Sequence, residues 1–191
     1  MKIKAPPRIM IVAALCALAL IGLVVREGAA RSGGFEVLLP MEAVDPRSLL
    51  SGHYVDINLT QRLADGAPCP RGGMESKWLA LQPEGNVHVV AGGADSRDEA
   101  QQIGPVLVRG AFECWEMGGA EGAPAQNVVR LDIGVERFHI NQTDALRIER
   151  ALREQQPGET RAFAIVSIGR DGRARLRGLM LDSERLELAW L

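Results

Sequence analysis

One uninterrupted apolar run stands apart from everything that follows it. Ile9 to Val25 contains no charged residue. Crossing a bilayer core by α-helix takes about 17–25 such residues. Apolarity on every face argues against the core helix of a soluble domain. Pro6 and Pro7 precede the run, where proline is tolerated, and Arg26 and Glu27 close it. A secretory signal has an apolar core of about 7–15 residues with a small-residue cleavage site directly after it. Here the core is longer, and the small residues Gly28-Ala29-Ala30 lie beyond two charges. The pattern therefore predicts an uncleaved anchor at 9–25, behind a short tail at 1–8. Residues 26–34 read as a linker, and 35–191 as an exported domain.

Past the anchor the pattern changes to short strand-length runs. Phe35 to Pro40 is apolar and stops at proline. Asp45-Pro46-Arg47 predicts one capped helical turn through Leu50, ended by Ser51-Gly52. Tyr54 to Leu59 alternates with period two, so Val55, Ile57 and Leu59 share one face. Residues 64–76 are rich in glycine, proline and polar groups and predict a loop. Trp78 to Leu81 and Val87 to Val90 flank the turn Pro83-Glu-Gly-Asn86 and predict a hairpin. Gly92 to Gln102 is polar, with no element predicted. Val106 to Val108 and Ala111 to Trp115 read as another strand pair. Val128 to Ile133 and Arg137 to Ile140 flank Gly134. The clearest helix after the anchor spans about 142–156, with an apolar stripe of Ala145, Leu146, Ile148, Ala151 and Leu152, and ends at Pro157-Gly158. Strands at 162–168, 174–181 and 186–190 complete the chain, the first two joined at Asp171-Gly172. The expected fold class is mainly β or α+β: many short antiparallel strands and one clear helix behind a transmembrane helix.

Charge supplies an orientation. Lys2, Lys4 and Arg8 precede the span with no acid among them, which predicts a cytoplasmic N-terminus. The domain would then lie across the membrane. Arginine far outnumbers lysine, and Lys77 is the single lysine after the anchor. That usage points to a GC-rich bacterial genome, hence to the inner membrane and the periplasm. The formal net charge is −2, and the rest of the chain is more acidic once the tail is set aside. As a whole-domain balance this gives no electrostatic case for nucleic acid or anionic lipid.

Cys16 lies within the apolar run, where a cysteine behaves as a small hydrophobe. Cys69 and Cys114 lie in the domain, and an oxidising compartment predicts a disulfide between them. A metal site is not expected: no C-x-x-C occurs, and His53, His88 and His139 stand singly. No cofactor is expected either.

Two segments carry a resemblance. The first is Val44-Asp-Pro-Arg-Ser-Leu-Leu-Ser-Gly-His-Tyr-Val-Asp-Ile-Asn-Leu59; the second is Gly134-Val-Glu-Arg-Phe-His-Ile140. Together they resemble the membrane-anchored bacterial family named for its consensus G-D-Y-x-x-L-x-Y, in which a D-P-R turn precedes the G-D-Y. Gly52 and Tyr54 match the consensus, while His53, Ile57 and Leu59 stand where it has Asp, Leu and Tyr. The resemblance implies an anchored domain, and because members are often encoded beside polytopic membrane proteins it makes a polytopic inner-membrane protein the candidate partner. It makes Asp45, Pro46, Arg47, Gly52, His53 and Tyr54 the candidate interaction residues. The same residues also have a structural reading, as cap, turn and strand entry, which local signals usually serve.

Catalytic chemistry is sparsely signalled. The sharpest enzyme alternative is a membrane-bound serine–lysine peptidase using Ser48 and Lys77, since a desolvated lysine can activate a serine. Its resemblance to membrane signal peptidases is slight, because Pro40 occupies the place of the expected serine before a methionine. No G-x-S-x-G occurs. Arg170, Arg173, Arg175 and Arg177 cluster near the last hairpin and read as a solvated face or a carboxylate-binding one. The default is a binding or scaffolding domain held at a membrane.

Overall fold

The computed structural model describes residues 7–42, 54–118, 126–135, 137–139, 162–181 and 184–187. The expected turn at 45–50 and the helix at 142–156 lie outside the described residues, as do Asp45, Pro46, Arg47, Ser48, Gly52 and His53.

The segment expected as an anchor is helix α1, Pro7–Ser32. Its apolar window is wholly exposed among the described residues. It is long and apolar enough to cross a membrane. The helix runs on through most of the segment read as a linker. Glu27 and Arg31 form an i,i+4 ion pair at 3.3 Å there, and Ser32 Oγ donates to the Gly28 carbonyl.

Twelve strands follow among the described residues, all paired antiparallel. They are β1 Phe35–Pro40, β2 Tyr54–Asp56, β3 Thr60–Arg62, β4 Trp78–Glu84, β5 Val87–Ala94, β6 Val106–Arg109, β7 Ala111–Met117, β8 Gln126–Asp132, β9 Arg137–His139, β10 Ala162–Ile168, β11 Ala174–Leu181 and β12 Glu184–Glu187. The sheets have strand orders β1-β10-β11-β12, β2-β9, β3-β8-β7 and β5-β4-β6. Their inner faces meet in one hydrophobic core, which includes Val37, Leu39, Leu59, Leu79, Leu81, Phe112, Val129, Val166 and Leu179. The expected mostly-β class behind an apolar helix is what the structure has.

Several local expectations change. The turn of the β4–β5 hairpin is Gly85-Asn86, while Pro83 lies within β4, opposite His88. Proline is tolerated there because β6 pairs only with Trp78 to Leu81, leaving that side of Pro83 without a ladder. The strands expected to pair at 106–108 and 111–115 do not pair with each other. β6 joins β4, whereas β7 joins β8, and the chain changes sheet at Gly110. The polar segment after Gly92 holds a second helix, α2 Arg97–Ile103. Ser96 caps it by accepting from the Glu99 amide, and the Glu99 carboxylate accepts from the Ser96 amide in return.

The helix end is tied to the domain. Glu27 Oε1 accepts from Arg175 Nε at 3.0 Å, and Arg175 also pairs with Asp171 at 3.3 Å. Gly34 makes the junction with β1. A side chain at that position would collide with Ser167 Oγ and the Ile168 carbonyl of β10. Cys69 and Cys114 form the expected disulfide, with Cα atoms 6.0 Å apart.

Candidate interaction site

The two motif segments are neighbours in space. β2 and β9 pair with Tyr54 opposite His139, Val55 opposite Phe138 and Asp56 opposite Arg137. Ile57 and Leu59, at the consensus Leu and Tyr positions, are buried in the core. The strand expected over Tyr54 to Leu59 is regular only through Asp56, and the alternation beyond it puts Ile57 and Leu59 in the core. Asn58 then bridges to Glu42, just past the end of β1, and the Glu42 carboxylate pairs with Arg62 at 3.0 Å. Of the six candidate interaction residues, only Tyr54 is described, and only through its backbone.

A groove lies around the disulfide. Its volume is about 550 Å³, lined by Cys69, Pro70, Met74, Phe112, Cys114 and Trp115 together with Gly72, Gly73 and Glu113. The predicted loop at 64–76 forms one wall and β7 the other, and the disulfide closes them together. Further bonds hold the loop: the Gly93 amide donates to the Arg71 carbonyl at 2.8 Å, and Asn127 Nδ2 donates to the Ala67 carbonyl at 2.9 Å. Met74 is 56% exposed and Trp115 is 38% exposed. A second groove of about 440 Å³ shares Gly72, Gly73 and Met74 and has an acidic rim of Glu75, Asp95 and Glu99. Large apolar side chains on a covalently pinned wall suit recognition of another protein. Two cysteines far apart in sequence were the one signal that could have located this groove.

The remaining candidates separate. Lys77 is exposed just before β4, and Ser48 lies outside the described residues. His88 on β5 packs edge-on against Phe35, with ring centroids 5.9 Å apart, and burial holds its imidazole below the ordinary histidine range. No group of metal-ligating side chains occurs among the described residues. Two arginines of the β10–β11 hairpin meet carboxylates of their own chain: Arg175 meets Glu27 and Asp171, and Arg177 meets Glu36 at 2.9 Å. Arg185 of β12 also grips Glu36, at 2.8 Å. The Arg185 hydrogen bonds outweigh partial burial and, with the Arg177 charge, hold the Glu36 carboxyl below its usual range.

Compared with known proteins, residues 16–179 match the sequence model of the GDYXXLXY protein family. No curated protein matches, and no solved structure matches.

Proposed function

From the premise that this chain belongs to the GDYXXLXY family, we propose that it is a single-pass inner-membrane protein whose periplasmic domain binds a polytopic membrane partner. The observation that carries the reading is the groove beside the Cys69–Cys114 bridge, with Met74 and Trp115 presented on its walls. Three features support the address. Basic residues precede an apolar helix of spanning length. The helix is bonded to the domain at Glu27, beyond the apolar run, which favours an anchor that stays attached. A disulfide suits an oxidising compartment. The candidate interaction residues Asp45, Pro46, Arg47, Gly52, His53 and Tyr54 serve the fold in this reading, with Tyr54 in the strand that delivers Ile57 and Leu59 to the core. The Ser48/Lys77 hydrolase finds no support in an exposed Lys77.

The test is a pair of groove variants, Met74→Glu and Trp115→Glu, in the full chain in membranes. Each should abolish the membrane complex on native gels while the melting temperature and the disulfide stay unchanged. Alkaline phosphatase fused after Leu191 should be active, and the product should resist carbonate extraction. An intact complex in both variants, an inactive fusion, or a mature chain beginning at Arg31 would defeat the reading.

A further inference from the structure

The end of α1 gives the domain a height above the bilayer. Arg26 and Glu27 are the first charges after the apolar run, so they mark the edge of the hydrocarbon layer. Glu27 is bonded to Arg175, and Arg175 to Asp171 at the tip of the β10–β11 turn. That turn is therefore level with the lipid headgroups, a layer about 5–8 Å thick on each side.

Exposed arginines gather there. Arg170 and Arg173 belong to the turn, and both are exposed. Arg97 of α2 reaches the Arg170 carbonyl at 3.4 Å. Arg109 of β6 donates through Nε to the Asp171 carbonyl at 2.8 Å, and its amide donates to the Gly172 carbonyl at 2.8 Å. Arg97 and Arg109 both lie over the Trp78 ring, 5.6 and 4.8 Å from its centroid. Trp78 in turn fills the space beside Gly172.

The partners holding these guanidiniums in place are neutral carbonyls and a ring face, which position a cation without cancelling its charge. The one carboxylate in the turn, Asp171, is engaged by Arg175, whose hydrogen bond holds it below the usual carboxylate range. Beside Arg97, Glu99 is folded back onto the Ser96 cap and Asp98 is exposed. Four exposed guanidiniums thus gather at the membrane-facing end of a chain whose overall balance is acidic.

We infer that Arg97, Arg109, Arg170 and Arg173 form a headgroup-binding cap that seats the domain on the anionic phospholipids of the bilayer holding α1. Guanidinium groups pair well with phosphate, and each basic residue near an anionic surface strengthens association about fivefold. The consequence is a fixed pose: an anchor and a second footing beside it stop the domain from swinging about Ser32. The inference rests on α1 being retained as the anchor.

The test uses the full chain, after N-terminal sequencing has shown that α1 is present. A cleaved chain would sink the anchor and with it this inference. The protein is placed in nanodiscs of phosphatidylcholine, with or without phosphatidylglycerol. Native mass spectrometry counts retained lipid, and hydrogen exchange follows residues 168–175. Phosphatidylglycerol should be retained selectively and should protect the turn. Arg170→Gln with Arg173→Gln, whose side chains make no hydrogen bond among the described residues, should weaken that retention about thirtyfold with the disulfide intact. Equal retention of both lipids, or retention unchanged in the double variant, would overturn the inference. Inorganic phosphate protecting the turn as well in phosphatidylcholine discs would also overturn it, in favour of a soluble phosphate ligand.

Discussion

Gly172 and Gln61 show how much single positions carry. Gly172 has φ of +76° in the β10–β11 turn, and a Cβ there would run into the Trp78 ring. Gly172→Ala therefore combines left-handed strain of about 1–2 kcal/mol with overpacking. We expect a loss of about 2 kcal/mol or more, read as a melting temperature lower by at least about 4 °C. An unchanged melting temperature would mean that Trp78 is not seated on the turn. Gln61 is buried, and its Oε1 accepts from the Val90 amide at 2.9 Å. That amide lies where the β4–β5 register slips, with Leu81 opposite Val90 and Ala80 opposite Gly92. A bulge disrupts the ladder locally, and Gln61 from β3 supplies an acceptor. Gln61→Ala should cost about 1–3 kcal/mol by chemical denaturation, because it leaves a buried donor unpaired. Equal stability of variant and parent would show that another acceptor replaces it.

At the scale of elements, ion pairs link α1 and β1 to the strands beyond, and they set the acid limit. Glu36 and Asp171 both have carboxyls held below their unfolded values of 4.5 and 3.8. As pH falls below about 4.5, the unfolded chain takes up protons first, so stability falls until the folded groups protonate too. His88 is depressed below 6.5 by burial, so here too the unfolded chain binds its proton first. The melting temperature should be level above about pH 7, fall slightly below about 6.5, and fall more steeply below about 4.5. Glu36→Gln should soften the lower step alone. A chain more stable at pH 4 than at pH 7 would refute this linkage.

The same scale separates what was legible in the sequence from what was not. Period-two alternation located the strand from Tyr54, and Asp171-Gly172 located the β10–β11 hairpin, because one face must be buried and the turn has demanding backbone chemistry. α2 was hidden because it is seven residues long and buries only Ala100. No apolar stripe develops over that length, although Ser96 and Glu99 spell a capping box. The partners of β6 and β7 were hidden because a two-residue break looks like a hairpin, and long-range packing sent each strand to another sheet. The helix past Val25 was hidden because charges suggested a linker, while the Glu27–Arg31 pair supports a further turn. The disulfide groove was half legible: its cysteines were, but its walls come from a loop without periodicity.

For the whole molecule, the Cys69–Cys114 bridge is the largest single constraint on the domain. It closes a separation of 45 residues, worth about 4 kcal/mol in the unfolded-chain entropy account. Removing it as Cys69→Ser with Cys114→Ser should lower the melting temperature by about 8 °C or more and open the loop at 64–76 to protease. A double variant as stable and as protease-resistant as the parent would mean that the other loop bonds suffice. In the proposed reading the two ends have separate tasks: Glu27, Arg175 and the arginine cap would set where the domain stands, and Met74 and Trp115 would set what it meets.

The central claim is that this groove engages a partner in the same membrane. A photo-crosslinking residue placed at position 115 in living cells tests it most directly, with position 84, on the exposed hairpin tip, as the control. The account predicts one discrete adduct from position 115, carrying a polytopic membrane protein, resistant to carbonate extraction and absent from position 84. No adduct from position 115, or the same adduct from both positions, would contradict it.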